Sequence, residues 1–259
     1  MKEKIYTIPV NEAFSIDCEC QICELEKRFE NECVDYVLGP SLMDSEKRIQ
    51  TNDKGFCTRH FELLYNKQAN RLGLGLILDT YMLEQLSRIS KIVGHTQISD
   101  NSQSGLKSFL NSFSGNGISS KDGCKSADKL LKYIEEHEKK CDICDKLDYT
   151  MDRYIDVILE IYFTENDFRK KFDECNGFCM PHLKMLILGA KKYLNQSKSA
   201  EFCNKLIEIQ LNNLSRIEKE VKWFTQKFDY RNTDAPWGNS KDAIARGIVK
   251  MSGAKNLNK

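Results

Sequence analysis

The stretch CDIC at residues 141–144, followed by GFCMPH at residues 177–182, decides how this chain folds. The same phrase occurs earlier in the chain, as CQIC at residues 20–23 and GFCTRH at residues 55–60. The second and third cysteines of the phrase are 34 residues apart in the first copy and 35 in the second. We interpret this near-identity as an internal duplication that preserves three thiols and one imidazole in each copy.

Each copy contains a complete set of ligands for one zinc ion. The tight turn of a C-x-x-C segment brings two sulfurs together, and in C-x-x-H at the start of a helix the thiol and the imidazole share one face. Three thiolates and one histidine form a set typical of structural zinc. The sequence therefore predicts two zinc sites, one closing each repeat, with the ligands Cys20, Cys23, Cys57 and His60 in the first and Cys141, Cys144, Cys179 and His182 in the second.

Two iron–sulfur clusters are the alternative for these ligands, because such clusters also accept cysteine and histidine. They would make the protein an electron carrier or a redox sensor. A weaker alternative is a small-ligand binder or an enzyme that uses a cleft between the repeats, with Cys18 or Cys175, which do not follow the repeat, as a reactive thiol. No catalytic residue is predicted. His137 has charged neighbours on both sides and is expected to face solvent.

Apolar residues recur at steps of three and four through both copies, and this period predicts an all-α fold. In each copy we expect a helix after C-x-x-C, a shorter helix ending at the glycine of the motif, a third beginning at C-x-x-H, and a long fourth. Gly39 and Pro40 are expected to end the first of these helices. The tetrapeptide LSRI occurs in both long helices, at residues 86–89 and 214–217. The prediction is two tandem four-helix repeats, each closed by a Cys3His metal site.

The predicted domains follow from this repeat. Residues 11–98 form the first metal-binding helical repeat, and residues 126–230 form the second. Residues 99–125 between them are rich in serine, glycine and asparagine, a composition that predicts a flexible linker. Residues 231–259 form a C-terminal tail that contains Trp237 and a short helix.

The overall composition argues against two classes of partner. The 39 basic and 38 acidic residues nearly cancel, so no net field attracts nucleic acid. No apolar run reaches the roughly 20 residues of a membrane span, and the N-terminal residues lack a signal-peptide pattern. We therefore expect a cytoplasmic protein with a protein partner, where the eleven cysteines are reduced and suit metal ligation better than disulfides.

With both motif copies and the Trp237 segment, the chain resembles an uncharacterised family of cysteine-rich bacterial proteins that carry paired C-x-x-C and G-[FL]-C-x-x-H segments. The resemblance covers most of residues 11–250. It implies metal binding at the eight motif residues and brings no established activity. The sequence thus predicts a non-enzymatic zinc protein that serves as an interaction or regulatory module.

Overall fold

The computed structural model describes residues 4–93 and 120–254, and all regular secondary structure in these residues is helical. The all-α prediction is therefore confirmed. The helices are α1 Lys4–Ala13, α2 Gln21–Leu38, α3 Ser45–Lys54, α4 Thr58–Lys67, α5 Arg71–Ile92, α6 Ser120–His137, α7 Asp142–Thr164, α8 Asn166–Asp173, α9 Met180–Tyr193, α10 Gln196–Gln226 and α11 Ala243–Ser252, with short 3₁₀ helices at Pro40–Met43, Tyr230–Asn232 and Gly238–Ser240.

The motif residues fall at helix boundaries, as the sequence predicts. Helix α2 ends just before Gly39, and α3 ends at Gly55, whose φ of 64° suits a residue without a side chain. Cys57 and Cys179 are the N-cap residues of α4 and α9. Each histidine of the motif therefore lies in the first turn of a helix, on the same face as the preceding cysteine.

The described chain divides into two compact units whose boundaries differ from the predicted repeats. Unit 1 consists of residues 1–31 together with residues 147–259, and unit 2 consists of residues 32–146. Unit 2 is thus inserted, in sequence, between the two parts of unit 1. The boundaries fall inside α2 and α7. The predicted linker at 99–125 lies outside the described residues up to position 119, and from Ser120 onward the chain is helical in α6.

An aromatic cluster forms the core of unit 1 and holds one of the motif segments. The fully buried ring of Phe172 lies 5.1–5.7 Å, between centroids, from the rings of Phe14, Tyr162, Phe178 and Phe202. Aromatic rings at such distances pack favourably beyond the area that they bury. Because Phe178 directly precedes Cys179, this core fixes the position of the second G-F-C segment.

Unit 2 has a smaller core in which the first motif is anchored in a similar way. Phe56, which precedes Cys57, is buried, and its ring contacts the ring of Phe61 at a centroid distance of 5.4 Å. Phe61 in turn contacts Tyr81 of α5 at 6.2 Å. The tight approach of Tyr81 also explains the glycine of this motif, because a Cβ at Gly55 would lie 2.5 Å from the Tyr81 hydroxyl.

Candidate metal centres

Four of the predicted ligands converge inside unit 1, at a position that we call site 1. They are Cys20, Cys23, Cys179 and His182, and all four side chains are buried. The sulfurs of Cys23 and Cys179 are 3.6 Å apart, and Nδ1 of His182 lies 3.2–3.5 Å from the three sulfurs. One coordinating atom from each residue lies within 4.8 Å of every other.

The other four predicted ligands converge inside unit 2, at site 2. They are Cys57, His60, Cys141 and Cys144. Nδ1 of His60 lies 3.2 Å from the sulfurs of Cys57 and Cys141 and 3.4 Å from that of Cys144. The sulfurs of Cys57 and Cys144 are 3.8 Å apart. Cys57 and Cys144 are half-buried, so solvent reaches site 2 more readily than site 1.

Both groups have the dimensions of a tetrahedral site for one ion. With zinc–sulfur bonds of about 2.3 Å and zinc–nitrogen bonds of about 2.0 Å, tetrahedral geometry puts two sulfurs about 3.8 Å apart and a sulfur about 3.5 Å from the nitrogen. The observed separations of 3.2–3.8 Å between the coordinating atoms are close to these two distances. The residues present therefore fit a divalent metal ion with thiolate and imidazole ligands.

The structure confirms two Cys3His groups but corrects how their ligands are shared. We expected each repeat to close its own site, so that Cys20 and Cys23 would join Cys57 and His60, and Cys141 and Cys144 would join Cys179 and His182. Instead, each C-x-x-C pair meets the C-x-x-H pair of the other copy. The predicted pairing within each repeat is wrong, and the two sites are nested along the chain.

Helix lengths give the physical reason for the crossed pairing. Helix α2 has 18 residues and spans about 27 Å, whereas α3 has 10 residues and returns only about 15 Å. In the second copy, α7 has 23 residues and spans about 34 Å, whereas α8 has 8 and returns about 12 Å. A short return helix brings the chain only part of the way back to its own C-x-x-C pair.

Side chains that the sequence analysis missed hold the site 1 loops in place. Gln210 of α10, which is buried, accepts a hydrogen bond from the Phe178 amide at 2.9 Å and donates one to the Phe178 carbonyl at 2.9 Å. Asn213, one turn further along α10, donates to the Cys175 carbonyl at 3.2 Å. These bonds satisfy the backbone of a loop that would otherwise bury unpaired polar groups.

Lys250 of α11 links the two halves of site 1 through their backbones. Its side chain is fully buried, and its ammonium group donates to the carbonyl of Glu19, just before Cys20, and to that of Asn176, three residues before Cys179. The Glu19 carboxylate lies 3.1 Å from the same ammonium and also pairs with Arg216 at 2.7 Å. A buried ammonium group needs this degree of compensation, since burial of an unpaired charge is strongly unfavourable.

Glu26 supports the histidine of site 1. Its carboxylate lies 3.2 Å from Nε2 of His182, while Nδ1 of the same ring faces the three sulfurs. A hydrogen bond from Nε2–H to a carboxylate selects the tautomer whose Nδ1 lone pair is available to an ion. Since Glu26 lies three residues after Cys23 on α2, its spacing from the motif was the signal that could have identified it.

Replacing Glu26 with glutamine is expected to lower the metal affinity of site 1 by about tenfold to a hundredfold, the usual effect of losing such a supporting carboxylate. Competition with a chromophoric chelator measures the affinity. Glu32→Gln, an exposed position on the same helix, is the matched control and should leave it unchanged. Equal effects of the two substitutions would contradict the role of Glu26.

The side chains of site 1 shift one another's pKa values in opposite directions. Hydrogen bonds from Cys20 and Cys23 lower the pKa of Cys179 to about 3, whereas hydrogen bonds with Cys179 and Cys20 raise the pKa of Cys23. Burial opposes the charged form of His182, but hydrogen bonds with Cys20 and Glu26 outweigh it and raise its pKa to about 9. An ion entering the group must therefore displace protons from thiols and imidazole.

Three other residues considered in the sequence, Cys18, Cys175 and His137, belong to neither metal group. Burial raises the pKa of Cys18 to about 11 and that of Cys175 to about 12, so both are thiols at neutral pH and neither has the thiolate character of a reactive cysteine. The expectation that His137 faces solvent is wrong. Its ring is half-buried, lies between Tyr81 and Tyr133, and hydrogen-bonds the Tyr81 hydroxyl through Nε2 at 2.6 Å.

Comparison with known proteins gives a family but no activity. No curated protein and no solved structure matches the chain. A family model does match, over residues 1–258, and the family is described as one of unknown function, DUF6062. This agrees with the resemblance to an uncharacterised cysteine-rich family. Because the match spans almost the whole sequence, the chain belongs to the DUF6062 family of unknown function.

Proposed function

We propose that this chain is a non-enzymatic zinc protein in which two structural ions hold a helical scaffold for binding a protein partner. The observation that carries the proposal is the convergence, twice, of three sulfurs and one imidazole nitrogen within 4.8 Å of one another. Three thiolates with one neutral histidine suit zinc, and four protein ligands leave no coordination position for a reactive water molecule.

The sequence separation of the ligands supports a structural role for the ions. Site 1 joins residues 156 positions apart, Cys23 and Cys179, and site 2 joins residues 87 positions apart, Cys57 and Cys144. Closing such long loops restricts the unfolded chain more than closing short ones. An ion at each site would therefore stabilise its unit, and structural zinc in peptides contributes on the order of 10 kcal/mol.

The compactness of both groups favours a single ion over the iron–sulfur alternative. An iron–sulfur cluster places two or four irons, and the sulfides that bridge them, between its protein ligands. Its ligand atoms therefore stand farther apart than those around one ion. Neither group has that spacing, since all four atoms lie within 4.8 Å. We accordingly keep zinc as the first assignment and a single iron ion as its nearest competitor.

Exposed apolar side chains support the proposed binding of a protein partner. Along α5, Leu72, Leu76 and Leu83 are 76%, 50% and 58% exposed. Contiguous exposed apolar surface on a soluble domain is typical of interaction sites. Among the helices of residues 4–93 and 120–254, none is both long enough and apolar enough to cross a lipid bilayer. A cytoplasmic location remains part of the proposal.

Elemental analysis of the untagged, purified protein tests the proposal. We expect two zinc ions per chain and a visible spectrum without absorption, because zinc has a filled d shell. A brown sample with iron and inorganic sulfide would contradict the assignment and favour a redox function. Iron without sulfide would indicate single-ion sites and contradict only the identity of the metal.

A further inference from the structure

The two metal groups differ in how well the protein covers their sulfurs. All four ligands of site 1 are buried, whereas Cys57 and Cys144 of site 2 are half-buried. At site 1 the end of α11 lies against the ligands, since a Cβ added to Gly253 would be 3.3 Å from the Cys179 sulfur. Small solutes therefore reach the sulfurs of site 2 more readily than those of site 1.

A cavity of about 460 Å³ within unit 2 has Cys57 in its wall, together with Phe56, Thr58 and Tyr81. This volume is far above the roughly 10–15 Å³ that a single water molecule requires. Hydrogen peroxide is only slightly larger than water, so the cavity admits it. Cys57 is therefore the ligand of site 2 that a small polar oxidant reaches by two routes, from the surface and from the cavity.

Cys144 is well placed to form a disulfide with Cys57. The two sulfurs are 3.8 Å apart, and a movement of about 2 Å brings them to the bond length of a disulfide. Both residues are half-buried, whereas Cys141, the third thiol of the site, is buried. Cys57 is the N-cap residue of α4 and Cys144 lies in the first turn of α7, so the bond would join two helix starts.

From this difference between the sites we propose that site 2 is a reversible redox switch, in which a peroxide oxidises Cys57 and Cys144 to a disulfide and the ion leaves. This inference rests on the proposed function, since it requires an ion at site 2. The Cys57 thiolate attacks the peroxide, which forms a sulfenic acid and releases hydroxide. The Cys144 thiolate then attacks the Cys57 sulfur, so that the S–O bond breaks, a second hydroxide leaves and the disulfide forms. Two electrons pass from the thiolates to the peroxide, and two protons from solvent convert the hydroxides to water.

The oxidised form of unit 2 stays cross-linked but no longer holds its ion. Only His60 and Cys141 remain as ligands, and a structural zinc site requires four. Because the disulfide keeps α4 joined to α7, reduction restores the four ligands in place. Helix α5, whose exposed leucines are proposed to bind a partner, belongs to the same unit. Oxidation therefore changes the metal occupancy of the unit that carries this surface, while site 1 stays loaded.

Titration of the zinc-loaded, full-length protein with hydrogen peroxide tests the proposal. A chromophoric chelator measures the released ion, and peptide mass spectrometry after alkylation identifies the cysteine pairs. We expect one ion to leave about tenfold faster than the other, because oxidation follows the exposure of the thiolate. One Cys57–Cys144 disulfide should form with it, and dithiothreitol with added zinc should restore the site.

Three results would overturn the proposal: equal release of both ions, release without a disulfide, or a first disulfide that includes Cys18 or a ligand of site 1. These results differ from a failure of the proposed function. A protein purified without zinc would contradict that function before any oxidant is added.

Cys57→His separates oxidation from metal binding. Histidine keeps a fourth ligand at site 2, in the Cys2His2 set that zinc also accepts, but removes the sulfur that the peroxide attacks. We expect release of this ion to slow about tenfold. Cys203→Ser is the matched control, because Cys203 is a half-buried thiol outside both metal groups, and it should leave the release rates unchanged.

The metal content of both variants is measured before oxidation. If Cys57→His holds two ions and releases them as fast as the unaltered protein, Cys57 is not the oxidised residue and the proposal is wrong. If this variant does not retain its second ion, the disulfide mapped in the unaltered protein decides between the outcomes.

Discussion

Cys179→Ser is expected to abolish cooperative folding of unit 1 while leaving site 2 loaded. Cys179 is fully buried, and its sulfur lies 3.6 Å from that of Cys23 and 3.2 Å from Nδ1 of His182. Serine does not replace a thiolate as a ligand to zinc. The contribution of a structural ion, on the order of 10 kcal/mol, is as large as the whole free energy of unfolding of a typical domain, about 5–15 kcal/mol.

Chemical denaturation followed by circular dichroism, together with metal analysis, measures this effect. Cys203→Ser is the matched control, because Cys203 is a half-buried cysteine of unit 1 that packs against the same core and belongs to neither metal group. We expect the control to lower the free energy of unfolding by only about 1 kcal/mol, the usual cost of a single substitution. If Cys179→Ser behaves like the control, site 1 does not hold unit 1 together.

The sequence was sufficient to predict which eight side chains form the two Cys3His groups and the local structure around them. The helix period, the stop at Gly39 and the position of each C-x-x-H at a helix start all depend on neighbouring residues, and all agree with the structure. The two Cys3His groups use the eight predicted residues. Local patterns were therefore enough wherever a feature is determined within one or two turns of the chain.

The pairing of the ligands was not accessible from the motifs themselves. Because the two copies are nearly identical, either C-x-x-C pair can complete a tetrahedral set with either C-x-x-H pair. The unequal lengths of α2 and α3, at 18 and 10 residues, contain the missing information. Length multiplied by the rise per residue would have favoured the crossed arrangement.

The supporting side chains depend on contacts between distant parts of the sequence. Lys250 reaches the carbonyl of Glu19, 231 residues earlier, and Gln210 pairs with Phe178, 32 residues earlier. From the sequence alone, a lysine on an apolar helix is expected to be exposed to solvent. In the fold, a carbonyl group and a carboxylate lie beside it. Its burial follows from tertiary packing, so no local pattern predicts it.

The second large effect concerns how many ions remain when two ligands are replaced together. With crossed pairing, Cys23 and Cys179 belong to one site, so a variant with serine at both positions should retain the ion of site 2. Cys144 and Cys179 belong to different sites, so a variant with serine at these two positions should retain no ion. Pairing within each repeat predicts the reverse for both variants.

A third double variant tests whether general unfolding, rather than the loss of ligands, causes the loss of metal. Serine at Cys57 and Cys144 removes two ligands of site 2 and should leave the ion of site 1 in place. Both variants that keep one complete group should also keep part of the helical circular dichroism signal and a cooperative unfolding transition. The variant with serine at Cys144 and Cys179, which loses one ligand from each group, should show neither the helical signal nor a cooperative transition.

The most direct test is the number of metal ions per chain in these double variants, measured by elemental analysis after size-exclusion chromatography. Crossed pairing predicts one ion for Cys23→Ser/Cys179→Ser and none for Cys144→Ser/Cys179→Ser. One ion in the second variant and none in the first would contradict it.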